Sequence, residues 1–174
     1  MAVFFTADTH WGHGGARGLF RRPFGSLAET DAAMIARWRD IVAPDDEVWH
    51  LGDVAVGLSP EKVAALIEAL PGRKHLVPGN NDGPGVAALS CWASVSPYVE
   101  LEQDGRLLVL CHYPLRSWRD MHRGAVNLHG HSHGRLAPLA RQFDVGVDAR
   151  EFRPVRLGDL MRPARCRAAV TFPA

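Results

Sequence analysis

The stretch Lys74-His75-Leu76-Val77-Pro78-Gly79-Asn80-Asn81-Asp82-Gly83 decides how this chain is read. A short apolar run ends at Val77, and two adjacent carboxamides and an aspartate stand where it stops. Asn-Asp-Gly commonly makes a turn, so these residues take on meaning only beside the ends of the other apolar runs. Upstream, Ala2–Ala7 reads as a buried strand and Glu47–Leu51 as a second. Between them Ser26 and Glu29 have capping-box spacing and open a helix whose Met34, Ile35, Trp38, Ile41 and Val42 share one face. Ser59-Pro60 opens another helix, with Val63, Leu66, Ile67 and Leu70 on its core side. Strand and helix alternate up to Val77, which predicts βαβ units and a largely parallel sheet.

Downstream the pattern changes. Ser94–Leu101 and Arg106–His112 flank Asp104-Gly105, a hairpin signal, and Ala125–His129 and Gln142–Val147 read as two more strands. Strands joined by short turns predict a second sheet packed on the first. With no internal repeat or linker, a single domain is expected over residues 1–174. The basic tail from Pro163 to Ala174 is assigned no function.

Composition sets the class. The chain is 47% hydrophobic and 22% charged with a formal charge of +1, as in a soluble globular protein and unlike a dedicated nucleic-acid coat protein. Cys91, Cys111 and Cys166 lack C-x-x-C spacing, and an odd count suits a reduced cytosol. MAVFFTADTH has no basic leader and meets charge at Asp8, so it does not read as a signal peptide. No apolar run approaches the roughly 20 residues of a membrane span. A cytoplasmic protein with no membrane partner is expected; oligomeric state is not read from the sequence.

The chemistry collects at strand ends. After the first strand come Asp8-Thr9-His10, after the second Gly52-Asp53, and after the third Gly79-Asn80. The hairpin ends at His112, and the next strand runs into His129-Gly130-His131-Ser132-His133-Gly134. In open α/β sheets ligands gather at the carboxyl ends of strands. Residues two apart, such as Asp8 with His10 and His131 with His133, point to one side of an extended backbone. Imidazole and carboxylate donors without thiolate suit Mn, Fe, Zn or Ni. The seven donors exceed one tetrahedral site, which implies two ions and one shared carboxylate. Asp8 and Asp53 only half-neutralise two divalent cations, and a bridging hydroxide still leaves the centre positive. Such a centre attracts an anion and generates a nucleophile at neutral pH, as phosphoester hydrolysis requires. His50 and His75, inside strands, are read as packing or supporting groups, and Cys111 as a buried strand residue.

The order D-x-H, G-D, G-N-x-D, H and G-H-x-H, from Asp8 to His133, resembles the calcineurin-like metallophosphoesterase family. "DTHWGH", "RRPF", "HLGDVAVG", "CHYPL" and "LHGHSHG" are similar to strings of its short bacterial phosphoesterases. The resemblance implies an α/β fold, a four-layer αββα sandwich of two mixed sheets flanked by helices. It implies one metal on Asp8, His10 and His133, a second on Asn80, His112 and His131, and Asp53 bridging them. The ions would be divalent transition metals, Mn2+ foremost with Fe, Zn or Ni as alternatives, and a bridging hydroxide would be the nucleophile.

One position departs from that pattern. Where family members with full activity on poor leaving groups carry a histidine, this chain has Asn81, and a carboxamide cannot give up a proton at pH 7. General acid catalysis is worth ~10²–10⁴-fold. His13, in the glycine-rich loop after His10, is the first candidate to replace it. Asp82, which in the family steadies that histidine, is expected here to hold the Asn81 loop. The resemblance thus implies a phosphodiesterase. A phosphomonoesterase, a nuclease processing nucleic-acid ends and a weakly catalytic scaffold are the alternatives. Arg22 and Arg116, on loops flanking the rim with Arg17, Arg21, Arg119 and Arg123, are candidates for holding a substrate phosphate, from a nucleotide or nucleic acid. The competing reading is a solvated basic surface. Trp11 and Trp118 are read as base-stacking or packing groups, and Asp144 and Asp148 as anchors for strand ends or ligand histidines.

Overall fold

The computed structural model describes residues 1–162. The tail from Pro163 and the third cysteine, Cys166, lie outside the described residues. In chain order the elements are β1 (Val3–Thr6), α1 (Ala16–Leu19), α2 (Leu27–Ile41), β2 (Glu47–His50), α3 (Pro60–Glu68), β3 (Arg73–Leu76) and α4 (Pro84–Ala87). There follow β4 (Tyr98–Gln103), β5 (Arg106–Cys111), β6 (Val126–His129), β7 (Gln142–Asp144) and α5 (Leu157–Met161). Strands β1, β2 and β3 lie in that order as a parallel sheet. In the second sheet, ordered β4-β5-β6-β7, β4 and β5 are antiparallel and the other pairs parallel.

Local sequence explains the elements. The Ser26 hydroxyl accepts the Glu29 N–H at 3.1 Å and starts α2; the Glu29 carboxylate returns to the Gly25 N–H at 2.8 Å, one residue before the cap. Met34 and Trp38 form the buried stripe of α2, and the Trp38 indole N–H donates to the Pro71 carbonyl at 3.1 Å. The hairpin turns on Asp104 and Gly105, both left-handed at φ 52° and 71°, which matches the strand twist.

Side chains alternate across the first sheet. Phe4, Val48 and Leu76 pack outward on Met34, Trp38, Val63 and Ile67 of the helices. Phe5, Leu51 and Val77 pack inward on Leu108, Leu110, Val126 and Leu128 of the second sheet, with Leu157 and Leu160 of α5 completing this cluster. The outer face of the second sheet is covered by the 115–123 loop, where Trp118 packs on Val109 and Ala125. Two sheets flanked by helices therefore agree with the expected sandwich. Among the described residues the strands of the first sheet are parallel, as the alternating pattern predicts, and its antiparallel pairing is the bridge Phe5–Val155.

Two expected strands are shorter than their apolar runs, for one reason. The run from Ser94 begins as a β3 neighbour, with Leu76 bridging Val95, and joins the second sheet only at Tyr98, past Pro97. The run from Gln142 leaves β7 after Asp144 and crosses to the first sheet, where Val147 N–H donates to the Ala7 carbonyl at 3.0 Å. Each segment changes sheets, so each splits between two pairings. Among the described residues no helix is long and apolar enough to cross a membrane. Cys91 and Cys111 are free thiols.

Candidate metal centre

Beyond the strand ends the loops bond to one another. Asp8 N–H donates to Gly52 O at 2.9 Å, His10 N–H to Asp53 O at 3.0 Å, and Gly130 N–H to His112 O at 3.0 Å. These bonds gather donors from both sheets. Ligand atoms of Asp8, His10 and His133 lie within 4.8 Å of one another, as do those of Asp53, His112 and His131. Asn80 joins the second group, its carbonyl oxygen 3.1 Å from His112 Nε2. Asp53 lies between the groups: Oδ2 is 3.4 Å from His10 Nε2 and Oδ1 is 3.7 Å from His112 Nε2. All seven expected donors are thus brought together.

The backbone pays for this convergence. Asp8, His10, Asp53, His131 and His133 all have left-handed φ, between 49° and 64°. Each such non-glycine residue costs about 1 kcal/mol or more and persists only where its surroundings impose it. The chain also comes very close behind the donors. A Cβ at Gly79 would collide with Asp53 Oδ1 and sit 2.8 Å from His112 Cε1, and one at Gly52 would strike the Gly79 backbone.

Electrostatics single out the first group. Burial lifts the Asp8 carboxyl well above the usual carboxylate range, and the nearby Asp144, Asp53 and Asp148 add to the effect. Burial pushes His10 down to about 4, although Asp53 pulls the other way. Asp8 Oδ2 and both His10 ring nitrogens are buried without a hydrogen-bond partner among the described residues. Orphaned acceptors of this kind are uncommon in folded proteins. His112 Nδ1 faces the Leu51 carbonyl at 2.7 Å and His133 Nδ1 faces Asp148 Oδ2 at 2.8 Å, so both rings direct Nε2 into the site. Hard and borderline donors, free lone pairs and too little neutralising charge fit a pair of divalent transition-metal ions.

The remaining candidates fall in different places. The Asn81 amide donates to Asp53 Oδ2 at 2.7 Å and its backbone N–H to Oδ1 at 2.9 Å, so this residue holds the Asp53 carboxylate. Asp82 accepts the backbone N–H groups of Asp53, Val54 and Gly79 at 2.7 to 2.9 Å and ties the two loops together. His13 is half-buried, its ring 5.4 Å from that of His10. Arg116 is exposed. Arg22 is not on the surface: it is 4% exposed, and its guanidinium is fully engaged inside the protein. The reason is the set of buried acceptors around it, the Asp148 carboxylate and the Asp8 and Thr9 carbonyls, which hold the guanidinium beneath the surface.

Supporting groups occupy the places expected of them. His50 is buried, bonds the Thr9 hydroxyl at 2.9 Å, and is pushed down to about 3 by burial. His75 stacks on Trp49 at 4.2 Å. Asp144 accepts from Ser132 Oγ and from the Gly134 and Gly146 N–H groups, which holds the histidine loop. Trp11 and Trp118 are buried and pack. Sequence reading missed two aromatic groups. Phe20 stacks flat on His133, 3.6 Å between ring centroids, and nothing in its sequence neighbourhood marks it. Exposed Tyr113 sits edge-on to His131 and His112, at 4.8 and 5.0 Å, and its position directly after His112 was the available signal.

Known proteins are similar to this chain in sequence and in fold. The gene 66 protein of Mycobacterium phage L5 is 30% identical over 180 residues, covering 84% of this chain and 86% of its own length. The uncharacterized protein MJ1445 of Methanocaldococcus jannaschii is 26% identical, over 89% of this chain and 86% of its own. AQ665 from Aquifex aeolicus, a solved protein of unknown function, shares the fold with a TM-score of 0.74 at 21% identity, covering 91% of this chain and 96% of that one. Residues 1–147 match the calcineurin-like phosphoesterase superfamily domain, and the chain belongs to that superfamily.

Proposed function

We propose that this protein hydrolyses phosphodiesters with two divalent transition-metal ions, Mn2+ foremost, held by Asp8, His10 and His133 and by Asn80, His112 and His131, with Asp53 shared. The observation that carries the reading is the placement of Asp53, one oxygen toward each donor group. Bound there, the ions would supply Lewis-acid charge and activate water at neutral pH. The chain supplies the rest. Asp8 and Asp53 neutralise part of the charge, while neutral imidazoles and the Asn80 carboxamide leave the centre positive and receptive to a phosphate.

Asn81 supports the preference for diesters with good leaving groups. Its amide donates a hydrogen bond to Asp53 and has no proton to give a departing alkoxide. His13 is the imidazole beside His10 that could supply one. The test is turnover of bis-nitrophenyl phosphate and nitrophenyl phosphate with added Mn2+. The diester should turn over faster, and Asp53→Asn or His112→Ala should remove activity on both. Undiminished turnover in both variants would overturn the reading.

A further inference from the structure

Arg22 makes four hydrogen bonds that a surface arginine would not make. Nε donates to Asp148 Oδ1 at 2.9 Å and Nη2 to Asp148 Oδ2 at 3.0 Å, a bidentate fork on one carboxylate. The same Nη2 reaches the Asp8 carbonyl at 2.7 Å, and Nη1 reaches the Thr9 carbonyl at 2.8 Å. Asp148 Oδ2, gripped in this way, meets His133 Nδ1 at 2.8 Å. One buried guanidinium therefore connects the Asp8–His10 segment to His133 through Asp148, 126 residues away in the chain.

We infer that Arg22 is a positioning residue for the first metal site, acting through Asp148 on His133 and through two carbonyls on the Asp8–His10 turn. The inference rests on the proposed function. Three physical points favour it over a general packing role. Asp8, His10 and His133 hold left-handed backbone, so something must restrain them; Arg22 bonds the Asp8 and Thr9 carbonyls directly and reaches His133 through Asp148. Asp148 has only Arg22 and His133 as side-chain partners among the described residues. Lysine has no planar fork, so it cannot grip a carboxylate at two oxygens and two carbonyls at once. The second group, Asn80, His112 and His131, makes no hydrogen bond to Arg22 or Asp148 among the described residues, so its affinity should be spared.

The experiment is metal binding by titration calorimetry and by elemental analysis of stoichiometry, using Mn2+ added to the metal-free full chain. Wild type should bind two ions. Arg22→Met should weaken one of them by about 10–100-fold, the usual cost of losing a partner of a metal-ligating histidine, and leave the other unchanged. Asp148→Asn should do the same, and the double variant should be little worse than either single one, because both act in one relay. Arg22→Lys keeps the buried charge without the fork and should also weaken one site, which tests the idea should Arg22→Met fail to fold. Two undiminished sites in folded Arg22→Lys or Arg22→Met, or additive losses in the double variant, overturn the inference alone. A folded wild-type chain that takes up no metal overturns the proposed function and this inference with it.

Discussion

At the scale of single residues the candidate centre is built by backbone that most sequences avoid. His131 is exposed yet holds φ 64°, so its side chain contributes little packing against the strain. Replacing it by glycine should leave metal-free protein more stable than replacing it by alanine, by about 1 kcal/mol. Urea unfolding of the two variants checks this, and equal stabilities would show that the position is unstrained. Asn81 is the other telling residue. Asn81→His restores an imidazole able to protonate a leaving oxygen, so turnover of alkyl esters should rise more than turnover of nitrophenyl esters. Equal gains on both classes would place the proton donor elsewhere, with His13 the next residue to change.

At the scale of elements, helices fix the outer face of the first sheet while loops fix the chemistry. The Ser26 cap holds the start of α2, whose Trp38 and Met34 fill the core. Ser26→Ala should lower the unfolding free energy by ~1 kcal/mol without altering metal uptake. A thermal melt and a metal titration on one sample separate the two effects. The segments that change sheets, at Ser94–Tyr98 and Asp144–Val147, matter in another way. The second delivers Asp148 to His133 directly after crossing to the first sheet, so the support for one ligand depends on how the two sheets dock.

At the scale of the molecule, burial sets the response to pH. His10, His50, His75, His129 and His131 are all lowered, chiefly by desolvation, His10 to about 4 and His50 to about 3. In the unfolded chain they titrate near 6.5. Their contribution to stability is therefore present above about pH 6.5 and lost as pH falls toward the folded values. Asp8, Asp31 and Asp82 are raised by burial and act oppositely, favouring the fold at low pH and losing that contribution as pH rises through their raised values. With five imidazoles against three carboxyls, metal-free protein should unfold at lower urea at pH 5.5 than at pH 7.5. Added Mn2+ should raise the melting temperature at neutral pH, and this gain should shrink on acidification as protons compete for the same imidazoles. A melting temperature indifferent to Mn2+ at pH 7.5 would count against a metal site.

The local chain determined a good deal unaided. Apolar runs, the Ser26 cap and the Asp104-Gly105 turn are short-range physics, so the strands and the two longer helices, α2 and α3, were legible to within a few residues, while the short α1, α4 and α5 were not. The convergence of the seven candidate donors was legible because each lies within about four residues of a strand's end, and parallel strands put their carboxyl ends on one rim. Only the tertiary structure decided that Arg22 turns inward, that Phe20 lies on His133, and that Asn81 bonds Asp53. Those contacts join residues distant in sequence, and a side chain's partner is chosen by how two sheets and their loops meet in space. The neighbours it has along the chain carry no record of that choice.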